Sequence, residues 1–278
     1  MILMTGEELS NKINLTLKQQ VKGYMIKPCL AIIQVGDNEV TESYIKSKIK
    51  TSDEVGIYLK YIHFPIDTKE IEIINKIVEL NNDDYVNGIS IELPLPEKYN
   101  REKLINYIAR NKDVEGLTDL NLGKIYNNKK TYVPCVAQAV LEMCNNYNIA
   151  LAGKHVVIVN RSSLVGKPLT GLLLNNDATV TICHSKTENL SDILKCADIV
   201  VTAVGIPNII KASMLKKNAV VFDIGLSKVD NKLCGDVDLN NIENTVSYIT
   251  PAVGGIGPVV VSMLLRNVVE SYQKMNNE

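Results

Sequence analysis

The stretch HVVIVNRSSLVGKP, residues 155–168, decides the fold of the second half of this chain. Its first six residues read as a short buried strand, and a polar turn then leads into a helix predicted to begin at Val165. A strand, a turn and a helix in this order open a doubly wound dinucleotide-binding sheet, whose helix amides can hold a pyrophosphate. The turn has Gly166 as its only glycine and lacks the G-x-G-x-x-G pattern, so this motif alone does not establish whether the chain binds a nucleotide.

Apolar runs alternate with helical patterns on both sides of this stretch, which predicts an α/β protein with parallel strands. The predicted helices are Thr5 to about Tyr24, about Glu39 to Val55, Lys69–Leu80, Arg101–Ala109, Pro134 to about Asn148, two that begin at Val165 and Asn189, a short one near Ser213, and Val259 to about Gln273. The predicted strands are LAIIQV, YLKYIHF, GISIEL, HVVIVN, TVTICH, ADIVVTAV and AVVFDIG. The aperiodic segment 111–132 is predicted to be the passage between two domains.

Composition sets bounds on the class of protein. The chain has 278 residues, of which 46% are hydrophobic, and a net charge of −1, with no basic block that would indicate nucleic-acid binding. We expect no membrane partner and a cytoplasmic location, because the sequence has neither a long apolar run nor a signal-like start. The six cysteines are far apart, without a CxxC or a histidine cluster, so we expect reduced packing residues, no disulfide framework and no metal site.

The residues after TVTICH bear on the choice of cofactor. Sheets that bind NAD usually place an acidic residue about 20 positions after the glycine turn, where it binds the ribose. Here His184, Ser185, Lys186 and Thr187 occupy that place, and Arg161 would lie nearby in such a fold. A hydroxyl and cations would suit a 2′-phosphate, so NADP is favoured over NAD. The alternative is a solvated loop that happens to lack an acid.

Tyr44 and Lys48 are four residues apart on a predicted helix and therefore share a face. A lysine that is partly desolvated beside an aromatic ring can have a lowered pKa and exchange protons near neutrality, whereas a lysine among other lysines is more often a solvated charge. The ELPLP segment, which begins at Glu92, follows the carboxyl end of a predicted strand, where parallel sheets bind ligands. KDVEG, with Glu115, and GDVD, residues 235–238, read as surface turns.

The motifs YIKSK, GISIELPLP, KDVEG, NRSSLVGKP, CHSKT, GDVD and VGGIGP occur in the order and spacing of one family. On these motifs the chain resembles, over essentially its whole length, the bifunctional methylenetetrahydrofolate dehydrogenase/methenyltetrahydrofolate cyclohydrolase family. The resemblance implies two α/β domains flanking a cleft, the second a doubly wound Rossmann-type parallel sheet. It also implies a folate-binding catalytic domain over residues 1–120, joined by a returning C-terminal helix over 258–276, an NAD(P)-binding domain over 121–257, and usually a homodimer.

The resemblance implies two reactions. Hydride passes from the methylene bridge of 5,10-methylenetetrahydrofolate to NADP, and water then opens the methenyl cation to 10-formyltetrahydrofolate. Lys48 matches the general acid/base, and Tyr44 matches a tyrosine that stacks on the folate. The catalytic residues implied in this way are Lys48, Tyr44, Glu92 and Glu115. The implied substrate-binding residues are these four with Leu93, Val253, Gly254, Gly255, Ile256 and Gly257, and the implied cofactor-binding residues are Asn160, Arg161, Ser162, Gly166, Ser185 and Leu226.

Several positions depart from the family pattern. Glu92 stands where the family has glutamine, Glu115 where it has aspartate, and Asn160 where the cofactor turn has its first glycine. PCTP becomes PCVA over residues 134–137, and PGGVGP becomes VGGIGP. Glu115 keeps a carboxylate, which can accept two hydrogen bonds from the pterin. An anion within about 4 to 6 Å of Lys48 would favour the charged ammonium and raise its pKa, and a lysine that stays protonated cannot act as a base.

We therefore expect dehydrogenase activity to persist and cyclohydrolase activity to be reduced or shifted to higher pH. Hydride transfer depends chiefly on holding the two reacting carbons in position, whereas hydration of the methenyl cation requires proton movement. The contrary possibility is a protonated Glu92 that mimics the glutamine. Two other functions stay open: a dehydrogenase without cyclohydrolase activity, and a non-catalytic dinucleotide-binding protein of the same fold. The retention of Tyr44 and Lys48 counts against the second of these.

Overall fold

The computed structural model describes residues 1–229 and 232–276, and within them the chain is an α/β protein, as predicted. Its helices are α1 Glu7–Lys22, α2 Glu39–Val55, α3 Glu70–Asn81, α4 Arg101–Asn106, α5 Asp119–Tyr126, α6 Cys135–Asn146, α7 Gly166–Leu174, α8 Leu190–Leu194 and α9 Ile256–Asn276, with short 3-10 turns at Ala212–Met214 and Ile242–Asn244. Its strands are β1 Ile2–Leu3, β2 Cys29–Val35, β3 Tyr58–Phe64, β4 Gly88–Ile91, β5 His155–Val159, β6 Thr179–Cys183, β7 Ile199–Thr202, β8 Ala219–Asp223, β9 Ser227–Val229, β10 Lys232–Cys234 and β11 Val246–Ile249. None of the helices in these ranges has the length and apolar character needed to cross a bilayer.

The chain forms two compact units, and each of them is assembled from several segments. The six-strand unit comprises Met1–Ser10, Ile125–Lys129 and Val136–Val260. The three-strand unit comprises Asn11–Lys124, Lys130–Cys135 and the described chain from Val261 onward. The domain limits expected from the sequence, 1–120 with 258–276 and 121–257, stay predictions.

A parallel sheet with the order β1-β11-β8-β7-β5-β6 forms the centre of the six-strand unit. From β5 the chain adds β6 on one side and β7 on the other, so the switch point of the sheet lies between β5 and β7. Strands β7 and β8 are buried along their whole length, which explains their continuous runs of β-branched and apolar residues. This confirms the doubly wound, Rossmann-type sheet predicted from the sequence.

The three-strand unit has a smaller parallel sheet with the order β3-β2-β4. Its central strand, β2, is buried at every position, and α3 packs Ile73, Ile77 and Leu80 into the same core. Because β2 and β4 run parallel, their carboxyl ends lie at one edge of the sheet. Glu92 leaves β4 at that edge, directly after Ile91.

The sequence-based prediction missed or misplaced several helices and strands. Helix α5 lies within the segment that was expected to be an aperiodic passage, and its centre holds Gly123, which lowers helix propensity. Helix α9 begins at Ile256, earlier than the predicted Val259, because Pro258 falls in the first turn, where a missing N–H costs nothing. The short strands β1, β9, β10 and β11 were also missed, since two to four residues carry too little periodicity to be recognised.

The interpretation of GDVD as a surface turn is wrong. Asp236 is fully buried, and its carboxylate accepts hydrogen bonds from the Thr202 hydroxyl at 2.7 Å and the Val204 amide at 2.8 Å. Asp223, at the end of β8, accepts from the Asp236 amide at 3.0 Å. Burial raises the pKa of Asp223 to about 6, although backbone hydrogen bonds oppose this shift. The segment is therefore a buried polar junction that ties the ends of β7 and β8 together.

Gly235→Ala should destabilise the six-strand unit. A Cβ at Gly235 would overlap the carboxylate of Asp223, which is 3% exposed and hydrogen-bonded, so it cannot move aside freely. We expect a loss of about 1–3 kcal/mol, measured as a lower thermal midpoint of unfolding.

The matched control is Gly123→Ala in α5, where an added Cβ meets no atom within 4 Å. The same chemical change should there stabilise the protein by about 0.5–1 kcal/mol through helix propensity. A Gly235→Ala protein as stable as the wild type would contradict the buried junction.

Candidate active site

Lys48, on α2, lies between two carboxylates of the three-strand unit. Its Nζ is 2.7 Å from Glu92 Oε1 and 3.3 Å from Glu115 Oε1. A helix, the end of β4 and the loop before α5 each contribute one of these charges. The side chains of Lys48, Glu92 and Glu115 are 12%, 6% and 21% exposed, so the cluster is largely withdrawn from water. The structure thus brings together three of the four predicted catalytic residues.

The carboxylates determine the protonation state of Lys48. Burial alone would lower the pKa of this lysine, because it disfavours the charged ammonium. The charges of Glu115 and Glu92, with the hydrogen bond to Glu92, outweigh burial and raise the pKa above its ordinary value. Lys48 therefore stays protonated at neutral pH, and Glu92 has the electrostatic effect that the sequence led us to expect.

Sequence reasoning missed two residues of this cluster. Ser90 Oγ is 2.9 Å from Glu115 Oε1 and 3.4 Å from Glu92 Oε1, so its one proton is shared between two carboxylates. Cys135 is buried, and its thiol donates to the Val114 carbonyl oxygen at 3.6 Å. Burial and then the charge of Glu115 raise the pKa of this thiol. The two-residue period of GISIEL puts Ser90 and Glu92 on one face and was a usable signal. Cys135 belongs to the PCVA segment that departs from the family motif, but it was interpreted only as a packing residue.

Tyr44 and Leu93 lie close in sequence to members of the cluster. Tyr44 is one helical turn before Lys48 on α2 and is 45% exposed. Leu93 is partly buried and packs against the core of the three-strand unit. The described hydrogen bonds of Lys48 go to Glu92 and Glu115, so the structure does not bring Tyr44 into this network. Its stacking on a substrate stays a prediction.

The interpretation of KDVEG as a surface turn is also wrong. Lys112 is buried and donates to two backbone carbonyl oxygens at 3.0 and 2.7 Å, and burial lowers its pKa. The buried carboxylate of Asp113 accepts from the amides of Leu117 at 3.1 Å and Thr118 at 2.8 Å. These anchors on both sides hold the loop that presents Glu115 to Lys48.

Asn160 organises the turn between β5 and α7. Its Oδ1 accepts from the amide and the hydroxyl of Ser162, both at 2.8 Å, and from the Gly166 amide at 3.0 Å. Its Nδ2 donates to the carbonyl oxygen of Ala203, just after β7, at 2.5 Å. A Cβ at Gly166 would overlap the Asn160 carbonyl oxygen, so only glycine fits there. The turn is thereby fixed at the switch point, where the start of α7 can receive a phosphate.

The other predicted cofactor residues follow neighbouring strands of the same sheet. Arg161 and Ser185 come after β5 and β6 and are exposed, and Leu226 comes after β8 and is partly buried. Because these strands are parallel, the three residues lie at one edge of the sheet, together with the Asn160 turn. Ligands of doubly wound sheets bind outside this edge.

The predicted glycine loop, Val253–Gly257, belongs to the six-strand unit and leads into α9. Val253 is 61% exposed, and Gly254 has a φ of +76°, which favours glycine. The Gly6 amide donates to the Gly254 carbonyl oxygen at 2.9 Å, so the loop is tied to the segment before α1. The roles of Val253, Gly254, Gly255, Ile256 and Gly257 in substrate binding stay predictions.

Two features define the class of this protein as a dinucleotide-dependent α/β enzyme. One is a Rossmann-type sheet with an anchored turn at its switch point, and the other is a separate unit with a buried lysine between carboxylates. Two family models narrow this class. The catalytic domain of tetrahydrofolate dehydrogenase/cyclohydrolase matches residues 4–115, and the NAD(P)-binding domain of the same family matches residues 134–276. The chain belongs to the tetrahydrofolate dehydrogenase/cyclohydrolase family.

Individual relatives agree with this assignment. The bifunctional protein FolD of Bacillus cytotoxicus is 42% identical over 277 residues, which cover 98% of this chain and 97% of that protein. The crystal structure of FolD from Campylobacter jejuni, a methylenetetrahydrofolate dehydrogenase/cyclohydrolase, has a TM-score of 0.96 at 38% identity and covers 99% of each chain. The Trypanosoma brucei enzyme, in complex with NADP and an inhibitor, has a TM-score of 0.95 at 29% identity and covers 100% of this chain and 99% of that one.

Asn160→Ala should weaken cofactor binding. The change removes the acceptor that fixes the Ser162 and Gly166 amides and the donor to Ala203, so the turn loses its shape. We expect the dissociation constant of NADP, measured by calorimetry, to rise about tenfold or more.

The matched control is Asn176→Ala, just beyond the other end of α7. The side-chain amide of Asn176 donates a hydrogen bond to the Leu172 carbonyl oxygen, one helical turn earlier. NADP affinity should there remain within about twofold of the wild type. Equal losses in both variants would rule out a specific role for the Asn160 turn.

Proposed function

We propose that this protein oxidises 5,10-methylenetetrahydrofolate to 5,10-methenyltetrahydrofolate with NADP and hydrolyses the product to 10-formyltetrahydrofolate. Membership of the family over both matched domains supports both activities. The single observation that carries the proposal is the buried Lys48 between Glu92 and Glu115, because a family fold alone would not require a proton-transfer group. NADP, when bound, supplies the acceptor for the hydride.

The residues of the three-strand unit would divide the work on the folate. Lys48 would be the acid/base group of the hydration step, and Tyr44 would present its exposed ring for stacking on the substrate. Glu115 uses its carboxylate to accept hydrogen bonds from the pterin, and Ser90 holds that carboxylate in place. Leu93 would line the substrate site beside Glu92. Hydride transfer itself needs no protein base, so it depends on positioning.

The residues of the six-strand unit would hold NADP. Asn160 keeps the turn in shape, Ser162 and Gly166 present its amides, and Leu226 offers a backbone contact after β8. Arg161 and Ser185 would contact the cofactor phosphates, and the absence of an acid after β6 suits a 2′-phosphate. Val253, Gly254, Gly255, Ile256 and Gly257 would contact the folate.

The charge of Glu92 makes the two activities unequal. Glu92 gives the Lys48 cluster one acidic group more than a glutamine at position 92 would give it. Its negative charge stabilises the cationic methenyl product and holds Lys48 as an ammonium. Both effects favour oxidation and slow hydrolysis. They also support the second candidate function, a dehydrogenase without cyclohydrolase activity.

An activity assay tests the main proposal. Wild-type protein mixed with methylenetetrahydrofolate and NADP should produce NADPH, with a smaller rate when NAD replaces NADP. Lys48→Met should lose cyclohydrolase activity by about 100-fold or more, since a general acid/base contributes about 10²–10⁴-fold. Absence of NADPH at high enzyme concentration would instead support a non-catalytic dinucleotide-binding protein.

Glu92→Gln should speed up the hydrolysis of methenyltetrahydrofolate at neutral pH. Removal of one carboxylate lowers the pKa of Lys48, so its base form appears at lower pH, with about a tenfold larger fraction for each pKa unit. We therefore expect the cyclohydrolase pH profile to move to lower pH. The dehydrogenase rate should fall, because a charge that favours the cationic product is lost, but by less than about threefold, because hydride transfer depends chiefly on positioning.

Glu97→Gln is the matched control, because it makes the same change at an exposed carboxylate of the same segment. It should leave both rates and both pH profiles as in the wild type. An unchanged cyclohydrolase profile in Glu92→Gln, or an equal shift in Glu97→Gln, would reject the role of Glu92.

The proposal has two further parts. The family resemblance supports a homodimeric state, and the lack of a long apolar run in the sequence supports a cytoplasmic location. Sedimentation equilibrium of the purified protein tests the first. Fractionation of the source cells tests the second.

A further inference from the structure

A pocket of about 580 Å³ lies within the three-strand unit, and Lys48, Glu92 and Glu115 are not among its lining residues. Its volume is in the range of small-molecule sites, about 300–1,000 Å³. Four of its lining residues are cationic, namely Arg110, Lys124, Lys130 and Lys274, and none is acidic. The family's reaction, as assigned above, makes no use of this pocket.

The positive charges of the pocket are poorly compensated. In the described chain, Arg110, Lys124 and Lys130 make no ion pair with a carboxylate. Lys274 has one exposed partner, with its Nζ 3.7 Å from Glu270 Oε2. Cations on one concave surface repel each other, and an anion between them relieves this repulsion. The charge distribution therefore indicates an anionic ligand.

A second observation comes from Tyr132, which also lines the pocket and is 6% exposed. Its hydroxyl is buried and has no hydrogen-bond partner among the described residues. The Lys274 ammonium lies 4.3 Å from the centre of the Tyr132 ring. A buried hydroxyl without a partner costs about 1–3 kcal/mol, so a residue in the wall of the pocket carries a hydrogen-bond donor that the described residues leave unused.

We propose that this pocket binds a small polyanion with three or more negative charges, an oligophosphate or a polycarboxylate. Arg110 offers a planar fork that matches the geometry of phosphate and carboxylate oxygens, and the three lysines offer point charges. Thr131 and Asn121 form a neutral wall, in which the Thr131 hydroxyl donates to Asn121 Oδ1 at 2.5 Å.

The walls of the pocket are bonded to the loop that leads to Glu115. Asn121 Nδ2 donates to Asp113 Oδ2 at 2.7 Å, and the Ser271 hydroxyl donates to the Asn111 carbonyl oxygen at 2.8 Å. A ligand that orders these walls would also stiffen the chain directly before Glu115. The pocket is thereby connected, through backbone and hydrogen bonds, to a carboxylate that faces Lys48.

Calorimetry of the full-length protein with inorganic triphosphate and with citrate, at low ionic strength, tests the proposal. We expect at least one of them to bind with a dissociation constant below about 1 mM, and to bind more weakly as salt is raised. The ligand that binds more tightly identifies the phosphate or the carboxylate source.

In the double variant Arg110→Gln/Lys130→Gln, the affinity should fall by about tenfold or more. The single variant Lys124→Gln, on α5, should also weaken binding.

The control double variant is Lys22→Gln/Lys129→Gln, which has the same net charge and changes two exposed lysines that do not line the pocket. It should bind within about twofold of the wild type. Thermal midpoints and NADPH production check that each variant is folded. The proposal fails if neither anion binds or if both double variants lose affinity equally. The proposal also fails if NADP displaces the anion and the pocket variants bind the anion as the wild type does, because the anion would then bind at the cofactor site.

Discussion

The ion pair between Lys48 and Glu92 is the interaction on which the candidate active site depends. A buried ammonium loses several kcal/mol of hydration, so Lys48 can stay charged at 12% exposure only because carboxylates face it. Glu92 reaches it through the pairing of β4 with β2. Glu115 reaches it through a loop that is held by the buried groups of Lys112 and Asp113. The small sheet and the anchored loop thus each bring a carboxylate that raises the pKa of Lys48.

The same arrangement limits what the lysine can do. A base must lose its proton near the working pH, and both carboxylates oppose that loss. An acid or a hydrogen-bond donor has no such requirement, and a negative cluster attracts a cationic intermediate. On the proposed function, this charge distribution would favour the step that forms positive charge on the substrate over the step that consumes it. The proposed difference between the two activities depends on Glu92 Oε1, which lies 2.7 Å from Nζ.

The sequence predicted the sheets well because buried parallel strands such as β2, β7 and β8 are continuous apolar runs with clear ends. Through the family resemblance it also predicted that Glu92 faces Lys48, but not that Glu115 does. It could not predict that Asp113 and Asp236 are buried, since aspartates in polar, glycine-containing segments usually mark turns. Their burial depends on partners distant in sequence, such as Thr202 for Asp236, 34 residues away. Cys135 escaped for the same reason, because its neighbours come from another segment of the chain.

The departures from the family pattern differ in physical kind. Asn160 replaces a glycine, yet its side chain closes the turn with bonds to Ser162, Gly166 and Ala203, so the change is compensated within the turn itself. Glu92 replaces a glutamine of the same shape and adds a charge that Ser90 and Lys48 accommodate. Random drift would not supply partners for such groups. An unpaired buried carboxylate would then strongly destabilise the fold. Paired in this way, the two departures fit a working site better than a fold that has lost its function.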